Sequence, residues 1–278
     1  MTSSPGSSER EQVVAQIQDH PYWYHAIEVL PGIVTPGLYD LRRTVGLLPW
    51  PDLQGRRCLD VGTSDGFFAF EMERRGAAEV VAIDIQDHLL IDWPFDNRPA
   101  SRDDERFDKY RRAVDGTGFR IVAGARGSKV EWVPMSVHAL DRAEIGEFDV
   151  VFCGSMLEHI RDPVGALQSM RGVCRNWLLS SEQIALHLSL TAPRRPMAYL
   201  NGTGPAQWWM PNVAGHERML YAAGFAVHER SRPYVVPFNH PQPSLPLSRL
   251  PSAICRRVVA RSWAQGPVHR ALLARPAE

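Results

Sequence analysis

The stretch Arg57-Cys-Leu-Asp-Val-Gly-Thr-Ser-Asp-Gly-Phe-Phe68 decides the reading of this chain. It runs from a short apolar strand ending at Val61, through a turn with Gly62 and Gly66, into a helical segment, Phe67–Arg75, closed by Gly76. A strand, a tight glycine turn and a helix in that order suit a small-molecule site or merely a tight βα turn; Asp60 before the turn and Asp84 after it favour the site. Glycine adopts backbone conformations barred to other residues and lets the main chain approach a ligand. The N-terminus of the following helix is expected to offer free N–H groups to an anionic ligand group. Asp60, near the end of the strand, can take an ammonium. The β-branched run Val80-Val-Ala-Ile ends at Asp84, 24 residues beyond Asp60. A carboxylate at the tip of a second strand is placed to accept hydrogen bonds from both hydroxyls of a ribose. Gly62-x-x-x-Gly66 is not the G-x-G-x-x-G pattern of dinucleotide enzymes.

Outward from this segment, strand and helix signals alternate. Strands are predicted at Val130–Pro134, Phe148–Phe152 and Trp177–Ser180, and helices over Arg102–Val114 and Pro163–Cys174. Alternation on this scale predicts an α/β, Rossmann-like doubly wound fold with a mostly parallel seven-stranded sheet. Phe225–Glu229 and Ala271–Ala274 are expected to pair antiparallel at the sheet edge. Residues 56–278 then form the binding domain, with a Pro-, Gly- and Trp-rich substrate-shaping loop at 183–215 followed by a helix near Gly215–Ala223. Residues 11–55 read as an N-terminal helical cap or lid, with helices near Glu11–Gln18 and over Leu38–Leu47. Residues 1–10 read as a disordered tail. Ile254–Trp263 is a basic amphipathic stretch.

Composition narrows the function classes. The 278 residues carry 31 Lys+Arg and 31 Asp+Glu, a net charge of zero, so overall charge indicates no broad grip on nucleic acid. The four cysteines, Cys58, Cys153, Cys174 and Cys255, form no C-x-x-C pair and no zinc-type cluster, so no metal is expected. They read as reduced thiols of a cytoplasmic protein. No secretory signal and no membrane-length apolar run are apparent, and no membrane partner is expected.

Leu59-Asp-Val-Gly-Thr-Ser-Asp-Gly66 resembles the first motif of class I S-adenosylmethionine-dependent methyltransferases, with Ser64 in place of the usual middle glycine. Val81-Ala-Ile-Asp84 resembles their second motif, Glu131–Leu140 the third-strand region that borders the adenine, and Phe148–His159 the fourth motif, which faces the methyl group. The resemblance implies S-adenosylmethionine as cofactor, held by Asp60, Gly62, Thr63, Ser64, Gly66, Asp84, Ile85, Ser136, Val137 and Gly154. A narrower likeness lies in Gly32-Ile-Val-Thr-Pro-Gly37, Leu157-Glu-His-Ile-Arg-Asp-Pro163, Met210-Pro-Asn212 and Met219-Leu-Tyr-Ala-Ala-Gly-Phe225. These segments are similar to the tRNA wobble-uridine (5-hydroxyuridine) alkyltransferase family, some of whose members use carboxy-S-adenosylmethionine. That family usually has tyrosine where this chain has Glu158, and a carboxylate there would repel the extra carboxylate of the modified cofactor. Ile27–Gly32 also lacks a lysine to neutralise it. The expectation is therefore ordinary S-adenosylmethionine and a small-molecule acceptor. tRNA is the alternative partner, and a non-catalytic cofactor-binding protein the other alternative. A homo-oligomer is compatible with the sequence.

Glu158 and His159 follow the fourth strand, at the carboxyl edge where doubly wound sheets bind ligands, and are the catalytic candidates. The plainer roles are a helix-start carboxylate and a histidine bonded to nearby backbone. Tyr24, His25, Trp208 and Trp209 can wall an apolar acceptor, or simply pack. Arg194 and Arg195 can grip an anionic group of that acceptor, or form a solvated loop pair. Taken together, the functional readings describe an apolar natural product with an anionic group.

Overall fold

The computed structural model describes residues 7–204, 207–240 and 265–278. The basic stretch Ile254–Trp263 and Cys255 lie outside the described residues. The central sheet is built from β1 (Arg57–Val61), β2 (Glu79–Asp84), β3 (Glu131–Pro134), β4 (Phe148–Gly154), β5 (Cys174–Gln183), β6 (Phe225–Arg230) and β7 (Val268–Pro276). Across the sheet the order is β6-β7-β5-β4-β1-β2-β3. β1 to β5 pair in parallel. β7 runs antiparallel to both of its neighbours, β5 and β6. The expected antiparallel strand is therefore present, one place in from the edge. Ala271, Leu272 and Ala274 of β7 are fully buried, whereas β6 is largely exposed beyond Phe225, so β6 makes the margin. The short segment Tyr234–Val235 pairs with the start of β7 on the same side.

The chain builds outward from β1 to β3 and then returns to lay β4 on the other side of β1. That reversal leaves a crevice at the carboxyl ends of β1 and β4, where open α/β sheets hold ligands. Alternate residues of each strand supply two cores. Cys58, Val80 and Ala82 pack on one face with Phe68, Phe70 and Met72 of the helix Phe67–Arg74. Leu59, Val61, Val81 and Ile83 pack on the other with Ala166, Leu167 and Met170. Those three residues belong to the helix Pro163–Val173, which starts on proline and is capped by Asp162, whose carboxylate accepts from Gly165 N at 2.9 Å.

The cap differs most from its sequence reading. Its helix spans Ser7–Asp19, so residues 7–10, expected in the tail, are helical. Leu38–Leu47 is not a helix; only Val45–Leu47 makes a 3-10 turn. Tertiary pairing overrides local propensity there. Leu38 N and Tyr39 N donate to Trp23 O and Tyr24 O, and Asn239 N donates to Leu38 O. Glu28–Leu30 and Ile33–Val34 form a small hairpin. Trp23, Ile27, Val29 and Leu30 join the core of the sheet face below.

Arg102–Val114 resolves into a 3-10 turn at Glu105–Phe107 and a helix at Asp108–Val114. A further helix, Thr117–Arg126, follows Gly116. The described residues of 183–215 form more regular structure than a loop. They hold the helix Leu186–Thr191 and an antiparallel pair, Ala198–Gly204 with Gln207–Pro211. Asn212 fastens this unit by accepting from Gly215 N at 2.7 Å and donating to Ala192 O and Arg195 O at 2.9 Å. No helix among the described residues is long and apolar enough to cross a membrane.

Candidate functional site

A cavity of about 320 Å³ opens at the carboxyl ends of β1, β2 and β4. Its walls come from the cap (Tyr22, Tyr24, His25), the glycine turn (Asp60, Gly62, Ser64) and the tip of β2 (Asp84, Ile85). Further lining comes from Leu90 to Asp92 after β2, Tyr110 and Val114 of the helix Asp108–Val114, Ser136 to His138 after β3, Gly154 at the end of β4, and Ser155, Met156, His159 and Ile160 beyond it.

The glycine turn is tightly wound. Gly62 has φ 75° and Gly66 φ 93°. Ser64, which stands where the motif usually has glycine, is also left-handed at φ 51°. That conformation costs a non-glycine residue about 1–2 kcal/mol. Asp84 holds it in place: Ser64 N donates to Asp84 Oδ2 at 2.7 Å and Ile85 N to Asp84 Oδ1 at 2.8 Å. Gly62 N and Thr63 N donate to Ile83 O, and Gly66 N to Thr63 O. The amides of these four turn residues are thus engaged within the protein.

Burial pushes the Asp84 carboxyl up to about 6, against the two amide bonds. Burial likewise pushes Asp60 up to about 7, although the Thr63 hydroxyl donates to it at 2.7 Å and His25 is nearby. Thr63 and Gly66 do not line the cavity. Thr63 serves Asp60 from behind. A Cβ on Gly66 would lie 2.4 Å from the Phe70 ring and 2.7 Å from the Phe119 ring, so Gly66 is there for packing.

Asp65, of the same turn, was not singled out in the sequence. Its Oδ2 accepts from Tyr24 N and His25 N, each at 2.9 Å, and its Oδ1 pairs with His25 Nδ1. One carboxylate therefore pins the cap to the turn. The signal was an acidic residue inside a glycine turn, with nothing in the sequence to name its partner 40 residues upstream.

Glu182, on β5, was also missed. It accepts from Met156 N and Leu157 N at 3.1 Å and from the Cys153 thiol at 3.3 Å, and so holds the loop after β4. Burial drives its carboxyl well above the usual range, and Glu158 adds to this. Within that loop, Ser155 is left-handed at φ 52° and its hydroxyl meets His269 Nε2 at 2.8 Å.

His159 lines the cavity. Glu158 does not: it is buried and lines a separate small hollow with Glu182, Trp209 and His216. Its Oε1 lies 3.7 Å from His159 Nε2, and burial raises its pKa. Tyr24 and Tyr39, both raised chiefly by burial, also feel the Glu158 charge.

Of the acceptor-side residues, Tyr24 and His25 reach the cavity and four others do not. Successive residues of a strand face opposite ways, and Trp208 and Trp209 are both used as anchors. Trp208 Nε1 donates to Asp92 O at 2.6 Å beneath the Arg161 guanidinium, and Trp209 Nε1 donates to Arg161 O at 3.0 Å. Arg194 and Arg195 are exposed in the turn after the helix Leu186–Thr191, away from the cavity lining.

A profile of the methyltransferase domain family matches residues 37–229. The ubiquinone biosynthesis O-methyltransferase of Neisseria meningitidis serogroup C is 28% identical over 150 residues, 54% of this chain and 50% of that protein. The tRNA U34 carboxymethyltransferase of Alcanivorax borkumensis is 27% identical over 177 residues, 62% of this chain and 46% of that protein. The chain thus spans about half the length of the curated relatives it matches. Among solved structures, the N-terminal domain of EvdMO1 with SAH bound aligns over 100% of both chains, with 15% identity and a TM-score of 0.53, a likeness of fold. The glycine turn, the carboxylate at the tip of β2 and the matched profile lead to one assignment: the chain belongs to the methyltransferase domain family.

Proposed function

We propose that this chain methylates a hydroxyl group of a small, largely apolar acceptor. The family's methyl donor is S-adenosylmethionine. The observation that carries the proposal is the sharing of one cavity: Asp60 and Asp84 line it together with Tyr24 and His159. Groups suited to the donor and groups suited to the acceptor thus line one space.

The residues fit the donor. Asp84, buried and oriented by two backbone amides, would take the ribose hydroxyls, and Asp60 the ammonium. Ser136 and Val137 would border the adenine, and Ile85 and Gly154 would complete the wall. When bound, the donor supplies a methyl group activated by a sulfonium. The protein's own task is then alignment and removal of the acceptor proton. His159 would take that proton, and Glu158 would steady the imidazole from its buried side. Tyr24 would wall the acceptor.

Among the described residues, no lysine or arginine lines the cavity. This weighs against a phosphate-rich acceptor and against a second carboxylate on the donor. With Arg194 and Arg195 in the outer turn, the anionic group expected on the acceptor is not carried forward. Oxygen as the methylated atom is supported by the imidazole base and by the name of the O-methyltransferase relative.

Donor affinity should depend on pH in a stated direction. Asp60 and Asp84 must be ionised to bind, and their carboxyls sit at about 7 and about 6 in the free protein. Protons compete as pH falls through these values. Affinity for S-adenosylhomocysteine should be level above pH 8 and lose about twentyfold by pH 6, and more below. Calorimetry across that range measures it; a flat profile would count against both assignments.

The acceptor is tested by offering labelled S-adenosylmethionine with a panel of phenols and catechols and, in parallel, with deproteinised tRNA. Label in the small molecules is expected. Label confined to tRNA would move the chain toward its carboxymethyltransferase relative.

A further inference from the structure

We propose that His25, held by Asp65, receives the α-carboxylate of the donor's methionine portion; this rests on the donor reading given above. Asp60, Asp84 and Asp92 already line the cavity, so an entering carboxylate needs a strong donor there. Four turn amides are engaged, and the longer cationic side chains are missing from the described lining. The amides of Gly62, Thr63, Ser64 and Gly66 all donate within the protein. Among the described residues, no lysine or arginine lines the cavity. The remaining side chains able to carry positive charge are His25, His138 and His159. His138 follows Ser136 and Val137 at the adenine end, and His159 lies beyond β4 beside Glu158.

His25 alone is built against the glycine turn. Its Nδ1 pairs with Asp65, its backbone N–H donates to the same carboxylate at 2.9 Å, and its charge acts on Asp60. Its ring is further boxed by Tyr24 at 4.8 Å and Phe67 at 5.5 Å between centroids. With Nδ1 on Asp65, Nε2 is the nitrogen left for the cavity. With Asp65 at Nδ1, the ring lies between two acceptors, and Nε2 faces the ligand's carboxylate. Asp65 acts through His25 and is a positioning residue. The arrangement also explains why the cap is fastened to the turn at this point: the segment that closes the cavity carries the carboxylate's partner.

Decarboxylated S-adenosylmethionine tests this, because it keeps the sulfonium, ribose and ammonium and lacks only the α-carboxylate. Full-length wild type, His25→Gln and Asp65→Asn are titrated with both compounds by calorimetry, with thermal melts to confirm folding. The wild type should bind S-adenosylmethionine about 10- to 100-fold more tightly than the decarboxylated form, the worth of a charge-assisted hydrogen bond. In both variants that ratio should fall toward one, because affinity for the intact donor drops while affinity for the decarboxylated form stays nearly constant. Asp65→Asn keeps an oxygen for the Tyr24 and His25 amides, and carries the test if His25→Gln does not fold. A ratio near one in the wild type, a ratio preserved in the variants, or an equal loss for both compounds would overturn the assignment. Binding of neither compound by the folded wild type would instead overturn the donor reading itself.

Discussion

In Asp84→Ala, the dissociation constant for S-adenosylhomocysteine should rise roughly 100- to 1,000-fold, the loss of two hydrogen bonds to a buried charged group. Asp84 is buried at the tip of β2, and its carboxylate is already oriented by Ser64 N and Ile85 N. No ordering cost remains to be met when a ribose arrives. The alanine variant also leaves Ser64 N without its partner at a left-handed φ of 51°, so the turn itself should loosen. Asp84→Asn separates the two effects. It retains one carbonyl oxygen for an amide and removes the charge, so it should recover the melting temperature but not the affinity. Calorimetric titration of both variants checks this.

His159→Gln should lower kcat by about 100- to 10,000-fold, the range expected for removal of a general base. Affinity for S-adenosylhomocysteine should remain near the wild-type value, because His159 lies on the loop after β4, away from Asp84. Glu158→Gln should cost less. Glu158 lines a separate hollow and sits 3.7 Å from the His159 ring, so it affects the base only through that contact. Unchanged kcat in His159→Gln would leave alignment alone as the source of rate and remove His159 from the chemistry.

The sheet was legible because its strands are continuous apolar runs bounded by turn residues. Leu59 and Val61, like Val150 and Val151, are buried so completely that no other placement suits them. Local signals also marked Gly62, Ser64, Asp60 and Asp84, since turn, strand end and carboxylate lie close together in the chain. The helix Thr117–Arg126 was hidden by Gly118 and Gly124, residues that weaken a helix in isolation and are carried here by the burial of Phe119 and Val122. The cap was misread for the opposite reason. Leu38–Leu47 has helical periodicity, yet residues 38 and 39 bond to 23 and 24. Asp65 and Glu182 were invisible because their partners are distant: His25 lies 40 residues from Asp65, and Met156 lies 26 from Glu182. Their roles exist only after folding. Glu158 shows the converse error. Its neighbour on the same short turn faces the cavity, and adjacency in sequence did not guarantee a shared direction.

Parallel calorimetric titrations with S-adenosylmethionine and carboxy-S-adenosylmethionine decide whether this cavity takes the ordinary donor. S-adenosylmethionine should bind saturably and about tenfold or more tighter than the carboxylated form, because an added carboxylate would meet acidic walls without a cation of its own. Tighter binding of the carboxylated form, or binding of neither, would contradict this expectation.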